Sequence, residues 1–237
     1  MIVTGRLVFL HLHKSGGSFV NHCLRHHFPD AREIGYHLPR SMIPPSSAGL
    51  PILGLVRNPW SYYVSWYAFQ RQRPRPNALF RVVSDDGRLD FNGTISNLVE
   101  LGRNEAMLAR VVGQLPREYG TRGLNLPGFV LARIRGNSAG FYSFLHDYMY
   151  SAADPGDGAR APLHVGRMED LPGELLRLFE MVGQPIGAAC RDDILQAPAR
   201  NASAHGPYAT CYNPALRDLV GLRDAAVITQ YGYAFEG

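Results

Sequence analysis

The sequence predicts an α/β fold with a three-layer architecture, a parallel sheet flanked by helices. Three observations carry this expectation. A short apolar, β-prone run at 6–12 (RLVFLHL) leads through a glycine loop into an amphipathic stretch. A continuous apolar run at 51–57 (PILGLVR), of the kind buried on both faces of a parallel sheet, leads into a helix start. A third candidate strand, LHVGR at 163–167, precedes another helical segment. Strands alternating with helices imply parallel pairing and crossover connections.

The elements follow in order. After the first strand come Gly16-Gly17 and then Ser18, which suits a helix cap. Val20, Cys23, Leu24, His27 and Phe28 then recur on one helical face. Residues 32–36 (REIGY) read as a second, short strand, and Pro44-Pro45-Ser46-Ser47 as a loop. After the strand at 51–57, Asn58-Pro59 supplies an N-cap and a proline at the first helical position. Trp60, Tyr63, Val64 and Tyr67 share one face of that helix, which RQRPRP at 71–76 ends. Helices are expected at 94–112, 128–135 and 138–150, and a loop at 153–162 (ADPGDGARAP). Glu169-Asp170 sit in the first turn before LPGELLRLFEMVG, where acids favour the helix dipole. Asn213-Pro214 opens a last amphipathic helix running through Tyr231, with Leu216, Leu219, Val220 and Val227 inward. Neither internal repeats nor low-complexity tracts occur, and the 237 residues are expected to form one domain with a mostly helical insertion around 72–162.

Bulk composition narrows the function classes. Hydrophobic content of 46% with 19% charged residues is ordinary for a globular protein. The net charge of +4 fits a mildly basic enzyme, and its sharper reading is an anionic ligand. No stretch combines dense arginine with interleaved aromatics, which argues against a nucleic-acid partner. The three cysteines, Cys23, Cys190 and Cys211, are far apart with no CxxC, which disfavours a disulfide framework or a zinc site and fits a reducing, cytoplasmic compartment. The N-terminal apolar run is too short for a secretory segment, and no run is long enough to span a membrane.

The most informative stretch is 11-HLHKSGGSF-19. Lys14 is the only lysine in a chain whose other 23 basic residues are arginines. The general arginine preference fits a GC-rich genome better than any function; the exception at Lys14 asks for a chemical reason. A glycine-rich turn between a strand and a helix presents backbone N–H groups that lack helical partners. Gly16 and Gly17 allow close approach of an anion, and Ser15 and Ser18 add hydroxyl donors. Lys14 supplies a compact, mobile charge that follows a moving phosphate oxygen, where a guanidinium would fix a planar fork. The pattern is not a Walker A loop, in which lysine follows the glycines. The strand expected at 51–57 ends in Arg57 rather than in an acid that would hold Mg²⁺.

HLHKSGGSF resembles the H-x-P-K-T-G-G-T-S loop of sulfotransferases that use 3′-phosphoadenosine 5′-phosphosulfate (PAPS). VRNPWSYYVSWY (56–67) is similar to their second motif, V-R-[DN]-P followed by a serine eight residues after the arginine. The branch most resembled is the carbohydrate-type one. GRMEDL (166–171) is a weaker match, and NAS at 201–203 with YNPALRDLV and YGYAF looks familial. The resemblance is clear over 7–67, thinner over 163–235, and absent over 72–162. It departs from the family at His13, Ser15, Ser18 and Phe19; the serines keep their donors and Phe19 is expected to pack.

The resemblance implies a nucleotide-kinase-like sulfotransferase fold and a sulfuryl transfer from PAPS to a hydroxyl of a glycan or small metabolite, with no metal. Lys14, Ser15, Gly16, Gly17 and Ser18 would hold the 5′-phosphosulfate, and Arg57 with Ser65 the 3′-phosphate. Lys14 would neutralise charge on the leaving oxygen, and His37, after the short strand expected at 32–36, would serve as base; Glu33 is an outside candidate. A P-loop-type kinase and a non-catalytic nucleotide-binding protein are the alternatives. His11 and His13 share a strand face without an obvious third metal ligand, and one of them supporting the phosphosulfate site is the stronger reading than a metal pair. His22 and His26, one helical turn apart, read as a solvated face. Arg71, Arg73, Arg75 and Arg81 read as a solvated loop or as a lid for an anionic acceptor.

Overall fold

The computed structural model describes residues 1–151, 161–196 and 206–236. The loop expected at 153–162 lies outside this set except for its last two residues, and the NAS tripeptide at 201–203 lies outside it entirely. The chain begins with β1 (Ile2–Val3), β2 (Val8–Phe9), α1 (Gly17–His27), β3 (Arg32–Glu33) and β4 (Ile52–Val56). Helices α2 (Pro59–Arg71), α3 (Ala78–Val83), α4 (Phe91–Val99), α5 (Glu105–Val112), α6 (Gly128–Leu131) and α7 (Phe141–Tyr150) follow. After β5 (Leu163–Arg167) come α8 (Leu171–Met181), α9 (Ala188–Gln196), α10 (Pro214–Arg223) and α11 (Ala225–Tyr231). Among the described residues no helix is long and apolar enough to cross a membrane. The class is α/β, as the sequence predicts.

Two compact units divide the chain: Met1–Arg57, Thr121–Gly123 and His146–Ala202 form one, and Asn58–Gly120, Leu124–Leu145 and Ser203–Gly237 the other. The first unit holds the entire five-stranded sheet, ordered β3-β1-β2-β4-β5. β2, β4 and β5 are parallel, but β1 is antiparallel to both β2 and β3. The sheet is therefore mixed, not purely parallel as expected. The cause is a hairpin at the start of the chain. Thr4 N–H donates to the Leu7 carbonyl at 2.9 Å, and Thr4 Oγ1 accepts from the backbone of Arg6 and Leu7. A turn this short returns the chain antiparallel. The strands expected at 6–12 and 32–36 shorten accordingly to Val8–Phe9 and Arg32–Glu33.

The sheet opens at its carboxyl end. Leu10 N–H donates to the Leu53 carbonyl at 2.8 Å, which aims the backbone groups of Leu53 and Leu55 toward β2. Beyond this bond β2 turns away into the glycine loop. The Tyr150 hydroxyl takes the two polar groups this would orphan, donating to the Leu55 carbonyl (2.8 Å) and accepting from Leu55 N–H (3.0 Å). Phe9, Leu53 and Leu55 from the sheet pack with Phe19, Val20 and Leu24 of α1 and Leu175, Leu178 and Phe179 of α8. Phe19 packs, as the sequence predicts.

The second unit is helical among its described residues. Asn58 caps α2, accepting from Trp60 N–H at 3.0 Å. The helix expected over 94–112 is two helices, because Asn104 starts a new one by accepting from Met107 N–H. The last helix likewise breaks at Asp224. Its fully buried carboxylate is taken by Tyr63 Oη–H and Ser143 N–H, both at 2.8 Å, and burial raises its pKa to about 6.

Candidate anion-binding site

The strand order selects the site. The chain leaving β2 returns on the β1–β3 side, whereas the chain leaving β4 goes on to β5. In open α/β sheets the crevice between two such strands, outside their carboxyl ends, is where ligands bind. The glycine loop follows β2 there, and Arg57 follows β4. Arg57 Nη1 donates to the Lys14 carbonyl at 3.2 Å, joining two segments 43 residues apart. β5 ends in Arg167, in register with Val56. Each of the three parallel strands thus delivers a basic residue to one edge of the sheet: Lys14, Arg57 and Arg167.

Local sequence explains the loop's shape. Gly16 has φ 79° and precedes the first residue of α1, so the cap is Gly16 and Ser18 falls in the first turn, half-exposed, contrary to the expectation that Ser18 caps. No acid lies in that turn, while Arg25, His26 and His27 lie in the last one, an arrangement that favours an anion at the N-terminus. Ser15 is buried and its hydroxyl donates inward to the His13 carbonyl at 3.2 Å. Lys14 itself holds φ 55°, an uncommon conformation for a side chain with a Cβ. Its ammonium pKa is lowered to about 8, by burial first and by repulsion from Arg57 second.

His37 joins the same region. Its Nδ1 lies 2.6 Å from the His11 carbonyl. A carbonyl only accepts, so Nδ1 carries the proton and, in the neutral ring, Nε2 carries the lone pair. Burial, followed by the proximity of His13 and His11, holds the pKa of His37 well below the usual histidine value. The ring stacks on His13 (3.7 Å between centroids, 16°) and meets Tyr36 edge-on at 4.2 Å. Its backbone has φ 54°.

His11 links the base candidate to the loop. Its carbonyl orients His37, its Nδ1 contacts Asn21 Nδ2 at 3.3 Å, and its ring lies across Gly17. A Cβ on Gly17 would fall 2.0 Å from His11 Cδ2. Gly17→Ala therefore sets two effects against each other: helix propensity gains about 1 kcal/mol, and overpacking costs about 3 kcal/mol. The expected net is a loss of about 2 kcal/mol, read as a lower denaturation midpoint at unchanged m-value.

The structure thus places Lys14, Ser15, Gly16, Gly17, Ser18, Arg57 and His37 in one region of the first unit. Ser65 lies in the second unit, buried on α2. No protein-family model matches the chain. No curated protein matches it either. What the chain is for therefore rests on the chemistry of these residues. A supporting role for His11 or His13 at the loop was open from the sequence, but that His11 acts through its backbone carbonyl was not legible there, and Arg167 stood out only as part of a motif.

Proposed function

We propose that the chain is a sulfotransferase, moving a sulfuryl group from PAPS to a hydroxyl of a glycan or small metabolite, on a nucleotide-kinase-like fold. The observation that carries the reading is the hydrogen bond from Arg57 to the Lys14 carbonyl. It brings the two resembling motifs into direct contact, and His37 is tied to the same strand end through the His11 carbonyl. In this reading Lys14 and the N–H groups of the first turn of α1 hold the 5′-phosphosulfate, and Arg57 the 3′-phosphate. Nε2 of His37 takes the acceptor's hydroxyl proton as the acceptor oxygen bonds to sulfur. The sulfur–oxygen bond to the 5′-phosphate breaks, and Lys14 stabilises the charge left on adenosine 3′,5′-bisphosphate. Positioning and charge stabilisation do most of the work, as in phosphoryl transfer.

The test is a thermal-shift comparison of adenosine 3′,5′-bisphosphate with ADP, with and without a chelator. At about 100 times Kd the bisphosphate is expected to raise Tm by about 5–10 °C. The shift should persist in chelator. A preference for ADP, or no shift with either nucleotide, would overturn the reading.

A further inference from the structure

The far end of α1 holds a second cluster, away from the glycine loop. Nitrogens of His26 and His27 and a carboxylate oxygen of Asp193, on α9, lie within 4.8 Å of one another. His27 Nε2 is 2.7 Å from Asp193 Oδ2, across 166 residues of sequence. The ring of His22, one turn earlier, stacks on His26 at 5.7 Å and 8°. Beneath this surface the same two helices are pinned together in the core, where Cys23 Sγ and Cys190 Sγ approach to 3.8 Å. The candidate ligands therefore project from two packed helices, which hold geometry better than loops do.

We propose that His26, His27 and Asp193 form a binding site for one divalent transition ion of the zinc class, with water completing the shell. Two imidazoles and a carboxylate match zinc, cobalt or nickel. Calcium and magnesium prefer all-oxygen shells and fit poorly. Ligand atoms about 2 Å from an ion stand roughly 3.3 Å apart in tetrahedral geometry. His27 and Asp193 need to part by only about half an ångström to reach that spacing, and His26 and Asp193 are exposed side chains that can turn. The sequence hid the site because its histidines are contiguous but its carboxylate comes from far along the chain.

The ion would clip the carboxyl end of α1 to α9. An 11-residue helix is about 16 Å long. The site is thus remote from the anion loop, and its role is to brace the helix that presents the loop. It does not depend on the proposed sulfuryl transfer.

The experiment is calorimetric titration of the full chain with ZnCl₂ in phosphate-free buffer, paired with visible absorption after CoCl₂ addition. The expected result is one equivalent bound, a cobalt d–d band, and a rise in Tm. Asp193→Asn and His26→Gln are each expected to weaken binding at least about tenfold. Both replace exposed side chains, and circular dichroism checks that each variant is folded. Absence of stoichiometric binding to the native chain, or undiminished binding in both folded variants, would overturn the proposal.

Discussion

Under the proposed sulfuryl transfer, replacing His37 with asparagine is expected to lower kcat by about 10²–10⁴-fold, the usual contribution of a positioned base. Asparagine is the informative choice. It tolerates the left-handed backbone that His37 adopts at φ 54°, and its amide can still donate to the His11 carbonyl. What it lacks is a basic Nε2. Affinity for adenosine 3′,5′-bisphosphate should therefore stay within about twofold while turnover collapses, the signature of an interaction made in the transition state. A variant in which kcat survives would remove His37 from the mechanism. The native pH profile is a second readout. Burial keeps His37 neutral well below the usual histidine range, so the acid limb of kcat/KM should lie below pH 6.5. The sign for stability runs the same way. His11 and His37 have folded pKa values below the unfolded value of 6.5, so the unfolded chain binds more protons as pH falls below it, and their contribution to stability drains away on acidification.

Lys14→Met is expected to cost about 10²–10³-fold in kcat, comparable to removing one oxyanion-stabilising donor, and to weaken bisphosphate binding as well. The native protein offers a test without mutation. Its Lys14 titrates at about 8 because burial and Arg57 both disfavour the ammonium. A bound phosphate restores that charge, so binding takes up a proton above this pH. Affinity for the bisphosphate should fall as pH rises from about 7 to 9, with a limiting slope of about tenfold per pH unit. Unliganded stability moves oppositely. A lysine whose folded pKa lies below its unfolded 10.5 leaves the unfolded state with more protons between about 8 and 10.5, so the empty protein gains stability over that window. Isothermal titration across pH and denaturant melts of the free protein separate the two trends. Bisphosphate affinity flat from pH 7 to 9 would remove Lys14 from the anion contact.

These residues were legible to very different degrees. The loop could be read because glycine, lysine and serine between a β-prone run and an amphipathic run have one obvious physical use. The strand at 51–57 and the Asn58-Pro59 helix start were likewise local, and each lies within a residue of its expected place. The hairpin from Met1 was not seen, because its strands are only two residues each and the Thr4-Gly5 turn gives little periodicity to detect. The break at Asp224 was hidden because α10 and α11 together keep helical spacing, and only Tyr63 and Ser143 explain why the carboxylate turns inward. His37 was suggested by resemblance alone. Its tautomer became readable once the His11 carbonyl was seen opposite Nδ1.

Lys14 and His37 share one backbone peculiarity that sets limits on engineering. Each sits in a conformation that costs an L-residue about 1–2 kcal/mol and a glycine almost nothing. At Lys14, where burial and Arg57 also disfavour the ammonium, a library sorted purely for heat resistance would drift toward glycine and discard the charge. At His37 the buried ring contacts and the bond to the His11 carbonyl oppose that drift, so only the lysine codon needs to be held fixed when thermostable derivatives are sought.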